Sequence, residues 1–117
     1  MTRSDLHGLE DARAFIATTA DAIGGLDVEL LVTLDERLHA ALYDLIIIGE
    51  TLGRVTPTVK GLAPTIRWRS ITGLRNILVH AYWQTDPKVV VRVVLEELPV
   101  LGRQLAKLIG QLKASDL

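Results

Sequence analysis

Cysteine is absent from this chain, which excludes disulfide bonds and thiolate metal sites. Aromatic residues make up only 4% of the 117 positions, whereas hydrophobic residues as a whole make up 49%. The core must therefore be built from aliphatic side chains, a composition that favours a helical bundle over a β-sandwich. The length is that of one ordinary domain. We expect a single all-α domain spanning residues 1–117.

Long apolar segments are also missing. The most apolar stretch, AALYDLIIIG (40–49), is too short to cross a bilayer and contains Asp44. The N-terminal residues MTRSDLHGLEDARAF carry acidic side chains where a secretory signal needs an uninterrupted apolar segment. The sequence thus predicts a cytoplasmic protein with no membrane partner.

Acidic residues are missing from one continuous segment. Between Thr51 and Thr85 there is no Asp or Glu, although the whole chain has a net charge of only -1. The basic residues of this segment are Arg54, Lys60, Arg67, Arg69 and Arg75. Two interpretations are open for such a cluster, namely a solvated basic face or a surface that contacts nucleic acid.

Apolar residues recur at helical spacing in most of the chain. One stripe covers residues 6–23, and a second covers residues 31–52 behind an N-cap at Asp27. The segment 54–64 contains two prolines and a glycine, so we expect a turn-rich connection with one short helical turn. A third helix should begin near Thr65 and end at about His80 or Tyr82.

The last helix is predicted to open with Asp86 as its N-cap and Pro87 as its first residue. Its beginning, KVVVRVVL (88–95), is rich in β-branched residues that favour strands, and Pro99 cannot lie inside a helix without a kink. Because leucines continue at helical spacing to Leu112, we predict a helix with a bend. The expected architecture is an up-down bundle of four long helices and one short helical turn.

The third predicted helix has a buried apolar stripe, formed by Trp68, Ile71, Leu74 and Leu78. Its polar residues fall on other faces. Arg69, Asn76 and His80 share one face, where Gly73 leaves a notch lined by backbone. Arg75 and His80 are five residues apart, which separates them by about 140° around an ideal helix. They can converge if the Arg75 side chain wraps the helix, if the helix ends before His80, or if a second protomer completes the site. We favour the third arrangement.

These residues resemble the HepT-like toxins of the HEPN superfamily. The resemblance covers roughly residues 43–113 and includes the IGE sequence at 48–50. The family signature is an arginine, four residues, a histidine, one residue and a tyrosine, and it is filled by Arg75, His80 and Tyr82. The other matching positions are Trp68, Ile71, Gly73, Asn76 and Asp86.

The resemblance implies a metal-independent endoribonuclease toxin that needs no cofactor and acts as a homodimer, with both protomers lining a cleft. It also implies an antitoxin partner, an MntA-like minimal nucleotidyltransferase that silences the toxin by placing AMP on Tyr82. In this hypothesis Arg75 and His80 are catalytic and Asn76 supports them. The candidates for RNA contact are Arg54, Arg67 and Arg69.

The side chains suit this chemistry, since RNA carries its own nucleophile in the 2′-hydroxyl. A histidine can exchange protons near neutral pH, and an arginine offers a fork of donors to the phosphate oxygens. No histidines and carboxylates occur at metal-ligand spacing, so we expect no metal site. The alternative hypothesis is a catalytically silent HEPN module that binds a nucleotide or a partner protein.

Other notable residues have simpler explanations. We expect Trp68 to pack in the core or at an interface rather than stack on bases, and Tyr43 to lie in the core. Glu50 is predicted to pair with Arg54 one helical turn later. His39 is interpreted as a surface residue.

Overall fold

The fold is helical in every element that can be described. A computed structural model of the chain describes residues 3–23, 35–81, 84 and 86–115. Its elements are α1 (Arg3–Ile23), α2 (Asp35–Gly53), α3 (Pro57–Gly61), α4 (Trp68–Ala81), α5 (Pro87–Arg92), a π-helical turn (Val93–Glu97) and α6 (Leu98–Ser115). The predicted all-α fold is confirmed. The expected N-cap at Asp27, together with Tyr82 and Trp83, lies outside the described residues.

The core lies where α1 packs on α2 and α6, and where α2 packs on α4. Its buried hydrophobic side chains are all Leu, Ile, Val or Ala, as the composition predicts. Burying one of the larger aliphatic side chains contributes about 1.5–3 kcal/mol. No helix of the described segments is long and apolar enough to span a bilayer.

Buried polar side chains connect α1 to its neighbours. The Asp5 carboxylate, 3% exposed, accepts hydrogen bonds from the Thr56 backbone N–H at 3.0 Å and the Thr56 hydroxyl at 2.8 Å. Further along α1, the Thr19 hydroxyl donates to the Asp44 carboxylate at 2.8 Å. These bonds satisfy groups that would otherwise be costly to bury, and they explain an aspartate within the apolar stretch of α2.

The third predicted helix, α4, begins later than expected, at Trp68 rather than near Thr65. The Trp68 backbone N–H bonds to the Ile66 carbonyl at 3.0 Å, which is turn geometry and not an α-helical bond. The Trp68 indole N–H also donates to the Ala63 carbonyl at 3.1 Å. The tryptophan thus anchors the start of α4 to the preceding turn, and its ring packs against the core as predicted.

The helix after Asp86 starts and bends near the predicted positions. Asp86 caps α5 by accepting a hydrogen bond from the Lys88 N–H at 2.9 Å. Pro99 has no N–H for the carbonyl of Leu95, and its ring crowds that carbonyl. The π-helical turn ends at Glu97, two residues before Pro99, and accommodates both effects in a widened turn. The valines remain helical because Val90, Val91 and Val94 are buried in the core.

Tyr43 is the clearest error among the core predictions, since it is 62% exposed. The buried residues of α2 are Leu38, Ala41, Leu45, Ile48 and Leu52, at helical spacing. Position 43 falls between two of these turns and therefore points away from the core. The prediction rests on the size of the aromatic side chain, whereas helical periodicity places position 43 outside the core.

Helices α2 and α4 approach most closely at Gly49. A Cβ atom at this position would lie 2.5 Å from the Arg75 Cβ and 3.3 Å from the Ile71 carbonyl oxygen. Real Cβ atoms do not come this close to their neighbours, so only glycine permits the observed approach. The contact places Arg75 directly against α2.

We expect Gly49→Ala to destabilise the protein by about 1–3 kcal/mol, because the new methyl group must push α2 and α4 apart. The matched control is Gly110→Ala in α6, where an added Cβ meets nothing within 4 Å. That change should stabilise the helix by about 0.5–1 kcal/mol. Urea unfolding of both variants measures the difference, and equal stabilisation by both would contradict the close approach.

Candidate active site on helix α4

The predicted site residues are carried mainly by α4. Arg69 lies in its first turn, Arg75 and Asn76 lie in its second half, and His80 lies in its last turn. Arg75 is half-buried against α2, whereas the other three side chains are exposed. Tyr82, the expected target of AMP transfer, is outside the described part of the chain.

The Arg75 guanidinium is oriented by acceptors on two helices. Its Nη2 donates to Glu50 Oε1 on α2 at 3.2 Å, and its Nη1 donates to Asn76 Oδ1 at 3.0 Å. Only 27% of the Arg75 side chain is exposed. The guanidinium thus lies between Glu50 on α2 and Asn76, which is one helical turn before His80.

Glu50 is the site residue whose main contact the sequence interpretation missed. The predicted pair with Arg54 exists at 3.8 Å, but the Arg54 side chain is 80% exposed. The contact with Arg75 is shorter and less exposed. A signal was present in the sequence, since Glu50 directly follows Gly49, and a buried glycine allows another helix to come close.

One donor of Arg75 is left without a partner. The Nε atom is buried and has no hydrogen-bond acceptor among the described residues. A buried donor without an acceptor costs about 1–3 kcal/mol. An acceptor that reached Nε would recover that cost.

His80 makes no hydrogen bond or ion pair within the described segments. One of the three proposed routes to Arg75 is excluded, because α4 continues through His80 to Ala81. A second route is not seen in the single chain, since the Arg75 guanidinium bonds to Asn76, its neighbour in sequence, and not to the imidazole. The third route, completion by another protomer, concerns an assembly and not a single chain.

A groove of about 770 Å³ runs beside α4, and we call it the basic groove. Its lining residues are Lys60, Ile66, Arg67, Trp68, Arg69, Ser70, Thr72, Gly73 and Asn76, none of which is acidic. A Cβ on Gly73 would meet no atom within 4 Å, in keeping with the predicted notch. Two of the three candidates for RNA contact, Arg67 and Arg69, lie here, whereas Arg54 does not.

A second cavity, of about 540 Å³, opens on another face of α4, and we call it the apolar cavity. Ile71 and Leu74, which the sequence places in a buried stripe, line it and are only half-buried. Arg67 lines the cavity, as do Glu96 and Glu97, which the π-helical turn contributes. A single chain therefore leaves part of the predicted stripe of α4 uncovered.

Metal-ligating groups do not converge in the part of the chain that is described. No cluster of three or more His, Asp or Glu side chains in residues 3–23, 35–81, 84 and 86–115 could hold a metal ion. The chemistry available at α4 is that of an arginine, an amide and a histidine: electrostatic stabilisation of an anion and transfer of a proton.

A double-mutant cycle tests the orientation of Arg75. We expect Glu50→Ala and Arg75→Met to show a coupling free energy of about 1 kcal/mol in urea unfolding, because the pair is partly shielded from water. The cycle of Glu50→Ala with Arg54→Met is the control, with an expected coupling of a few tenths of a kcal/mol at most, about the value of an exposed helical pair. A larger coupling to Arg54 than to Arg75 would contradict the geometry.

Comparison with known proteins identifies the family. The sequence model of the family "Ribonuclease HepT-like" matches residues 9–108. A "Probable ribonuclease HepT" from Thermococcus cleftensis is 31% identical over 108 residues, which are 92% of this chain and 98% of that protein. A Methanocaldococcus jannaschii protein named as an RNase is 28% identical over 97 residues, covering 83% of this chain and 85% of the relative. No solved structure matches the chain. With its helical fold and with most of its length matched, this chain belongs to the HepT-like ribonuclease family.

Proposed function

We propose that this protein is an endoribonuclease toxin that cleaves RNA without a metal ion, using Arg75 and His80. The observation that carries the proposal is the arrangement of Arg75, which Glu50 and Asn76 orient toward the face of α4 that holds an unengaged His80. Membership of the HepT-like family and relatives named as ribonucleases support it.

The proposed reaction is a transesterification. The 2′-oxygen attacks the adjacent phosphorus, the bond from phosphorus to the 5′-oxygen breaks, and the products are a 2′,3′-cyclic phosphate and a free 5′-hydroxyl. A base removes the proton of the 2′-hydroxyl, and an acid delivers a proton to the leaving 5′-oxygen. His80 can fill one role, and His80 of a second copy the other. Arg75 stabilises the negative charge that builds on the phosphorane oxygens, while Asn76 holds the guanidinium.

The proposed active form is a homodimer that buries the apolar cavity. A twofold dimer joins the same patch of both copies, and it can place Arg67 of one copy opposite Glu96 and Glu97 of the other. Apolar surface is available for such a contact, since Val100 in the cavity wall is 45% exposed. Ile77, 54% exposed, extends that surface to within one helical turn of His80.

The proposed partner is a minimal nucleotidyltransferase that acts as the antitoxin. The phenolic oxygen of Tyr82 would attack the α-phosphorus of ATP, and pyrophosphate would leave. The AMP group adds bulk and negative charge two residues from His80, which repels the phosphates of RNA. Because the proposed RNA substrate and the proposed antitoxin are both cytoplasmic, we also propose a cytoplasmic location for this protein.

The dimer is tested by charge exchange across the cavity. Arg67→Glu should shift a dimer toward monomer in sedimentation, because it places like charges opposite each other. Adding Glu96→Arg and Glu97→Arg should restore the dimer, whereas Arg103→Glu on exposed α6 surface should leave it unchanged. A protein that stays monomeric at micromolar concentration, or an Arg67→Glu variant that dimerises normally, would overturn this interface.

Cleavage is tested by incubating purified protein, shown by mass to carry unmodified Tyr82, with total RNA in EDTA. We expect products that end in cyclic phosphates and a loss of about 10²–10⁴ in rate for His80→Ala, as for other general acid–base residues. His39→Ala is the matched control, since His39 is an exposed histidine on α2. Absence of cleavage across several RNA classes, with binding retained, would favour the catalytically silent module.

A further inference from the structure

We propose that the basic groove binds the part of a single-stranded RNA that extends beyond the cleaved phosphate, with Lys60 and Arg69 each holding a backbone phosphate. This inference rests on the proposed ribonuclease function and adds a subsite to it. Lys60 is the new residue, contributed by α3 and not by the helix that carries the candidate active site.

Three basic side chains of the described segments lie close to a carboxylate. Arg54 and Arg75 both contact Glu50, and Lys113 lies 3.9 Å from Glu10. Lys60 and Arg69 form no ion pair with an acidic side chain among the described residues, and no acid lines the groove between them. Unpaired cations that face one groove attract a polyanion, and release of its counterions adds to the affinity.

Lys60 is held in position before any ligand binds. Its Nζ lies 5.8 Å from the centroid of the Trp68 ring and 3.4 Å from the Gly53 carbonyl oxygen. The ring itself is fixed by its hydrogen bond to the Ala63 carbonyl. A side chain that is already ordered loses less conformational entropy when it binds a phosphate, so the groove is preorganised on this side.

The groove is aligned with the candidate active site. Arg69, Gly73, Asn76 and His80 follow one another along the same face of α4. The eleven helical steps from Arg69 to His80 correspond to about 16 Å along the helix axis, a length that a few extended nucleotides can cover. The strand would pass over Gly73, where the missing side chain leaves open space.

The substrate class follows from the reaction. The 2′-oxygen can attack in line with the leaving 5′-oxygen only where the backbone departs from A-form geometry. A base-paired helix also presents its phosphates as two curved rows, whereas a single strand can follow one groove. We therefore assign the groove to single-stranded RNA.

The test is fluorescence anisotropy with a labelled oligouridylate of about ten nucleotides, a length within the usual range for single-strand sites. All variants carry His80→Ala, so that the RNA is not cleaved. Lys60→Met and Arg69→Met keep aliphatic stems and remove the charge. We expect each to weaken binding about 3- to 10-fold and to reduce the slope of log K against log salt by about 0.7. Lys107→Met, which removes an exposed charge of α6 outside the groove, should bind normally.

A steric variant separates binding from folding. Gly73→Leu places a side chain into open groove space and should weaken RNA binding without lowering the melting temperature. Gly110→Leu is its matched control on α6, and Lys60→Arg should retain binding. Normal binding by Lys60→Met and Arg69→Met, or equally tight binding of a duplex, would overturn the inference.

Failure of the two proposals can be told apart. Groove-dependent binding by a protein that cleaves no RNA would contradict the ribonuclease and leave the subsite standing. Cleavage of long RNA with an unchanged KM in the Lys60→Met variant of the otherwise intact protein would contradict the subsite and leave the ribonuclease standing.

Discussion

The close contact between α2 and α4 at Gly49 is the constraint on which the candidate site depends. A Cβ at this position would overlap the Arg75 side chain, so the absence of a side chain brings the two helices together. Glu50, the next residue, then reaches the guanidinium of Arg75 across the interface. The contact that packs α2 against α4 therefore also sets the orientation of Arg75. A change in the spacing of the two helices would alter both the packing and this orientation.

Three acidic side chains of the described segments hold elements of the fold together. Asp5 binds the turn before α3, Asp44 binds Thr19, and Glu50 binds Arg75. Since the segment 51–85 has no acid, most of its basic side chains have no nearby carboxylate in the sequence. The fold gathers Lys60, Arg67 and Arg69 around one groove. A nearly neutral chain thereby acquires a surface with one sign of charge, which is the property an RNA strand requires.

The two cavities beside α4 differ in what they can bind. The apolar cavity leaves Ile71 and Leu74 half covered and is lined by side chains of both charges, which suits contact with a second copy. The basic groove has cations without acids, which suits a polyanion. Arg67 lines both and so lies on the ridge between them. Residues three or four apart lie on one face of a helix, whereas immediate neighbours lie on different faces. Helix α4 can therefore contact a second copy with one face and substrate with another.

The sequence by itself determined the helical class, the aliphatic core, the cap at Asp86 and the signature formed by Arg75, His80 and Tyr82, because these depend on local spacing and composition. Helical periodicity also predicts the exposed position of Tyr43, although the size of this side chain suggests burial. Only the tertiary structure decided that Glu50 prefers Arg75 to Arg54 and that Lys60 lies over the Trp68 ring. Those contacts join residues from different helices, and their distances follow from how closely the helices pack, which no local pattern specifies.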